Sequence, residues 1–214
     1  MKETRIFAAP VEVREATDSV ATIAGYGAVF GNEYQVGDFT ESVSRTAFDK
    51  TLAERKDLAV VSYHDVDRVL GTQESGTARF STDAHGLRYE ADLDLLDPDG
   101  ISMQRKVATG KVRQSSFAFR VVRDSWEERD GAPPHRSLDE VRLYECSPVL
   151  YGANPATDVD VERANESYAE YRKAHEDPAT TREATTETPV DAPPAEAPVA
   201  TSPPEPKRTF HPFP

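Results

Sequence analysis

From Gly86 to Leu95 apolar and polar residues alternate, placing Leu87, Tyr89, Ala91, Leu93 and Leu95 on one face. That period of two is the mark of a strand with one buried side. Val20 to Phe30 is β-rich, punctuated by glycine and stopped by Gly31-Asn32. Leu58 to Tyr63 is a short apolar strand, and Val112 to Val122 and Val141 to Tyr151 are longer β-rich stretches. Arg68 to Gln73 and Thr77 to Ser81 predict a hairpin around Ser75-Gly76. Helical spacing is rarer. It spans Ser44 to Arg55, with Ser44 as cap and Ala47, Phe48 and Leu52 on one face, and Asp97 to Thr109, closed by Gly110. A charged helix is expected from Val159 to Ala174. Many strands and few helices predict an antiparallel barrel or sandwich decorated by helices, not a doubly wound sheet.

Composition divides the chain. Only 37% of its 214 residues are hydrophobic, which suits one domain with an unfolded appendage. The expected division is an N-terminal extension over 1–19, a folded domain over 20–175 and a Pro/Ala/Thr/Glu-rich tail over 176–214. Such a tail cannot bury enough apolar surface to offset an ordering entropy of roughly 1–2 kcal/mol per residue. A net charge of −13 without an evident Lys/Arg patch disfavours nucleic-acid binding. The single cysteine, Cys146, excludes an internal disulfide framework and suits a reducing compartment. No apolar run approaches the roughly 20 residues that span a bilayer, and Met1 to Arg5 lacks the apolar core of a signal peptide. A soluble, intracellular protein is expected.

Three residues stand out chemically. His64 ends an apolar strand beside Asp65 and Asp67, a rigid mount from which an imidazole can act as a general base, although a surface histidine before a turn reads the same way. In Gln114-Ser115-Ser116-Phe117-Ala118-Phe119 strand parity puts Ser115 with the two phenylalanines and projects Ser116 away from the core, toward a substrate. The bland alternative is an ordinary half-buried strand serine, since a hydroxyl is a poor nucleophile until a base takes its proton. Glu145 interrupts a mostly apolar run and calls for a partner: a histidine Nδ1–H, or an arginine such as Arg142 or Arg120. A metal set of His64, Asp65, Asp67 and His85 can be drawn, but it lacks the pairing of a metal motif. Nucleophile-elbow and phosphate-loop motifs are absent.

Taken in order, these blocks resemble the prohead proteases of tailed phages, which are related in fold to the herpesvirus assembly proteases. Gly25-Tyr26-Gly27-Ala28-Val29-Phe30 resembles the opening strand, and Ser44-Arg45-Thr46-Ala47-Phe48 the approach to the first helix. Tyr63-His64-Asp65 with Val69-Leu70-Gly71 is similar to the His-Asp block. Ser75-Gly76-Thr77 and Gly86 to Leu93 follow, then Ser116-Phe117-Ala118-Phe119 for a Ser-Phe-Gly-Phe block, and Glu145 to Val149 with Asn154-Pro155-Ala156 for the closing block. The chain departs at Ala118, where glycine is common, at Ser115, where methionine is common, and at Gly152, where proline is common.

The resemblance implies His64 as base, Ser116 as nucleophile and Glu145 as third member. It implies a herpesvirus-protease-like antiparallel β-barrel surrounded by helices, acting as a homodimer without a cofactor. The implied substrates are the scaffold or the scaffolding segment of the major capsid protein, and the chain itself, inside the immature capsid in the host cytoplasm. The competing expectation is a non-catalytic capsid-assembly protein that uses a protease-like fold and its acidic tail as a scaffolding module.

Overall fold

The computed structural model describes residues 2–150 and 158–175. In chain order the strands are β1 (Glu3–Phe7), β2 (Glu12–Ala16), β3 (Val20–Val29), β4 (Tyr34–Val36), β5 (Phe39–Val43), β6 (Ala59–Ser62), β7 (Asp65–Thr72), β8 (Ala78–Thr82), β9 (Gly86–Asp94), β10 (Gln114–Glu127) and β11 (His135–Val149). The helices are α1 (Asp49–Glu54), α2 (Pro98–Ala108) and α3 (Asp158–His175). The expected tail and the Asn154-Pro155-Ala156 block lie outside the described residues.

The protein is mainly β with a few helices, but among the described residues the strands do not close into the expected barrel. One sheet runs β1-β10-β11-β5-β4, with β6 and β7 joined through β11, and a second runs β2-β3-β9-β8. The first is not purely antiparallel either, because β11 runs parallel to both β5 and β6. The physical reason lies in β3, which packs over β10 and β11 instead of hydrogen-bonding to their sheet. Two glycines permit that approach: a Cβ on Gly25 would fall 2.7 Å from Ser115 Oγ, and one on Gly27 would fall 2.6 Å from Cys146 Sγ. Nor do the helices surround the sheets. α1 lies on β11 and α2 on β2 and β9, while α3 stacks Tyr168 on Trp126 of β10.

The alternation in β9 buries Leu87, Tyr89, Ala91 and Leu93 completely. They join Ile23, Phe117, Phe119 and Leu143 in the main core, where the rings of Phe117 and Phe119 stack 4.5 Å apart. α2 begins and ends as its sequence predicts: the Asp97 side chain caps it by accepting from Asp99 N, and Gly110 follows at φ 68°. The first helix is shorter than its pattern predicts. Ser44 does not cap it; its N–H donates to Leu138 O and its hydroxyl to Asp139, so the residue is tied to β11. The expected hairpin around Ser75-Gly76 is a crossing between sheets, with β7 paired to β6 and β8 to β9.

Candidate active site

Three neighbouring strands bring the chemistry together, with β11 in the middle. On one side β10 places Ser116 opposite Ser147 and Ala118 opposite Glu145. On the other, β6 runs parallel to β11 with Ala59 opposite Glu145, and its end delivers His64. That residue sits not on a strand but in a two-residue turn, with Ser62 and Asp65 paired at its base. Tyr63 and His64 both take left-handed backbone, at φ 56° and 64°, the pair of conformations that closes a tight hairpin. Such geometry costs a non-glycine residue of order 1 kcal/mol or more. It turns the imidazole back over the sheet.

His64 Nδ1–H donates to Glu145 Oε1 at 2.6 Å, and the other ring nitrogen, Nε2, lies 2.7 Å from Ser116 Oγ. The three candidates therefore form one hydrogen-bonded line. Glu145 is held from its second oxygen by the Ser147 hydroxyl, which donates to Oε2 at 2.7 Å and accepts from the His64 backbone N–H at 3.1 Å. Lys2 Nζ stands 3.7 Å from Glu145 Oε1. Neither Arg142 nor Arg120 is the partner of this carboxylate. Only 4% of its side chain is exposed, against 23% for His64, so most of its charge is balanced from within the protein.

Ser115, one residue from Ser116, faces the opposite side and hydrogen-bonds the buried Tyr89 hydroxyl at 2.9 Å. Parity thus separates the two serines as expected. The expected exposure fails, however: Ser116 has no accessible surface. β1 pairs along β10 with Ile6 opposite Ser116, and the Arg5 carbonyl oxygen lies 2.7 Å from Ser116 Oγ. Cys146 beside Glu145 is no competing nucleophile, since burial, together with the Glu145 charge, pushes its thiol well above the usual range.

His135 is the buried first residue of β11, with its two ring nitrogens 2.9 Å from Thr40 Oγ1 and Ser42 Oγ. His85 packs edge-on against Tyr26. The described residues contain no group of three or more His, Cys, Asp or Glu side chains placed to hold a metal. Ser147 and the cover supplied by β1 were missed in the sequence. Parity gave a signal for Ser147, which lies two residues beyond Glu145 and so on the same face.

A serine hydroxyl, an imidazole and a carboxylate joined in this order on a β scaffold define the arrangement of a serine hydrolase. A family profile described as caudovirus prohead serine protease matches residues 9–173. The chain belongs to that family, and with it to the serine proteases of tailed-phage prohead maturation. No curated protein and no solved structure matches it.

Proposed function

We propose that the protein is a serine endopeptidase that cleaves the scaffold, or the scaffolding segment of the major capsid protein, and itself, within the prohead in the host cytoplasm. Its proposed working form is a homodimer. The observation that carries this reading is the placement of Glu145, His64 and Ser116 in that order within hydrogen-bonding distance, 2.6 and 2.7 Å apart. In the proposed step the Ser116 hydroxyl proton passes to His64 Nε2 as Oγ bonds to the scissile carbonyl carbon. The proton then moves from Nε2 to the departing amine as the C–N bond breaks, and water releases the acyl group by the reverse transfer. Glu145 keeps the proton on Nδ1, so that Nε2 is free to accept, and stabilises the imidazolium.

The test is co-expression with the capsid and scaffold proteins, compared with a Ser116→Ala chain. Truncated capsid or scaffold protein is expected with the native chain and not with the variant. Undiminished processing by Ser116→Ala would remove Ser116 as nucleophile. If even the native chain processes nothing, the non-catalytic scaffolding reading is favoured.

A further inference from the structure

With β1 in place Ser116 has no surface accessible to solvent. Its hydroxyl has one proton and two acceptors at the same distance, His64 Nε2 and the Arg5 carbonyl oxygen, each 2.7 Å away. With Nδ1–H committed to Glu145, a neutral His64 can only accept at Nε2, so the two compete for that proton. The geometry at Arg5 is also unproductive: the carbonyl oxygen meets the hydroxyl, whereas attack requires the carbon to meet it and the oxygen to turn toward oxyanion donors.

β1 is replaceable by position. Among the described residues it is the last strand of its sheet, paired only with β10, and an edge is where an extended segment from elsewhere can add. It also lies outside the matched family region, which begins at residue 9. Two of its side chains occupy built slots. The Arg5 guanidinium, 1% exposed, donates from Nε to Glu41 Oε1 at 2.7 Å and from Nη2 to Glu41 Oε2 at 3.1 Å, with Glu41 itself fully buried. Phe7 packs against Tyr34 and Phe117, with ring centres 5.3 and 5.9 Å away.

We infer that β1 occupies the substrate groove, and that substrates replace it as an antiparallel strand along Ser115–Phe119. A basic residue then precedes the scissile bond over Glu41, and an aromatic residue two positions later fills the Phe7 slot. The assignment rests on the protease reading above. Arg208-Thr209-Phe210 repeats the order of Arg5-Ile6-Phe7, a basic, a β-branched and an aromatic residue, so the chain carries a second segment of this pattern.

The first arm of the test locks β1 with a Thr4→Cys, Ala118→Cys pair, since these residues are direct cross-strand neighbours. Labelling of Ser116 by a fluorophosphonate probe is followed in the oxidised and reduced forms of this one variant. Access scales with the fraction of molecules in which β1 is out, so the oxidised form is expected to label about 100-fold more slowly. Ile6→Gly, which weakens the strand and leaves His64, Ser116 and Glu145 unchanged, is expected to label about fivefold faster than the native chain. Equal rates in the oxidised and reduced forms would overturn the groove assignment. No labelling of any form would instead sink Ser116 as nucleophile, and the groove with it.

In the second arm a synthetic peptide of residues 204–211 is expected to be cut after Arg208, and its Arg208→Glu counterpart is not. Equal cleavage of both, or cleavage of neither by a chain that labels, would overturn Glu41 as the recognition group.

Discussion

At the scale of single residues, Ser147 shows how the site is braced. Its hydroxyl donates to the Glu145 oxygen that His64 does not use and accepts from the His64 backbone, so one small side chain ties the carboxylate to the strained turn. Ser147→Ala leaves both a buried carboxylate oxygen and a backbone N–H without that partner. Loss of such a bond is worth about 1 kcal/mol or somewhat more, and the misplacement falls on Glu145 and His64 instead of on substrate. Turnover of a peptide substrate is therefore expected to drop about tenfold while KM stays unchanged; an unchanged kcat would show that the brace is dispensable. The residues proposed to carry the reaction stood out in sequence because each breaks its local pattern: a histidine after an apolar run, a serine beside paired phenylalanines, a carboxylate in a mostly apolar run. Ser147 breaks no pattern, since a serine in a β-rich stretch is unremarkable until its cross-strand partner, Ser116, is known. Burial of Ser116 was equally hidden, because it is imposed by a strand more than a hundred residues away in sequence.

At the scale of elements, local signals and long-range pairing behaved differently. The alternation of β9 and the capping of α2 by Asp97 and Gly110 are set within a few residues, and the structure keeps both. Sheet membership is set by pairings between distant segments, which periodicity does not encode, and there the barrel and the Ser75-Gly76 hairpin fail. The glycines of β3 carried the missing information. Gly27 gives its space to Cys146, so Gly27→Ala would set a methyl against a sulfur that is fully buried. Overpacking of that kind costs about 1–3 kcal/mol, and it presses on the strand that holds Glu145. Removing the sulfur with Cys146→Ala should make room for the methyl. The double variant is thus expected to be more stable than the summed single effects predict, as measured by urea unfolding of the four chains. Strict additivity would mean that β3 and β11 are not in contact at this point.

At the scale of the whole molecule, the acid groups decide how the protein responds to pH. Burial alone would raise the Glu41 carboxyl, but the Arg5 and Arg136 guanidinium groups outweigh it and hold the group below its ordinary value of 4.5. Hydrogen bonds from arginine likewise lower Glu90 and Asp92, through Arg79, and Asp99, through Arg68. A carboxyl with a depressed folded-state value binds fewer protons folded than unfolded. Its stabilising contribution is complete above the ordinary carboxyl range and is lost as pH falls through the lower folded value. Glu41 matters most here, because it is fully buried and anchors β1 and β11 together through Arg5 and Arg136, whereas the Arg79 and Arg68 pairs are partly exposed and weakened by solvent. The urea midpoint is therefore expected to hold steady near neutral pH and to fall progressively below about pH 4.5. Replacing Asp92 with Asn should remove only a small part of that slope. A midpoint that stayed level down to pH 3 would show that these carboxylates titrate alike in the folded and unfolded chain, and the charged layer beneath β1 would then contribute nothing to its hold.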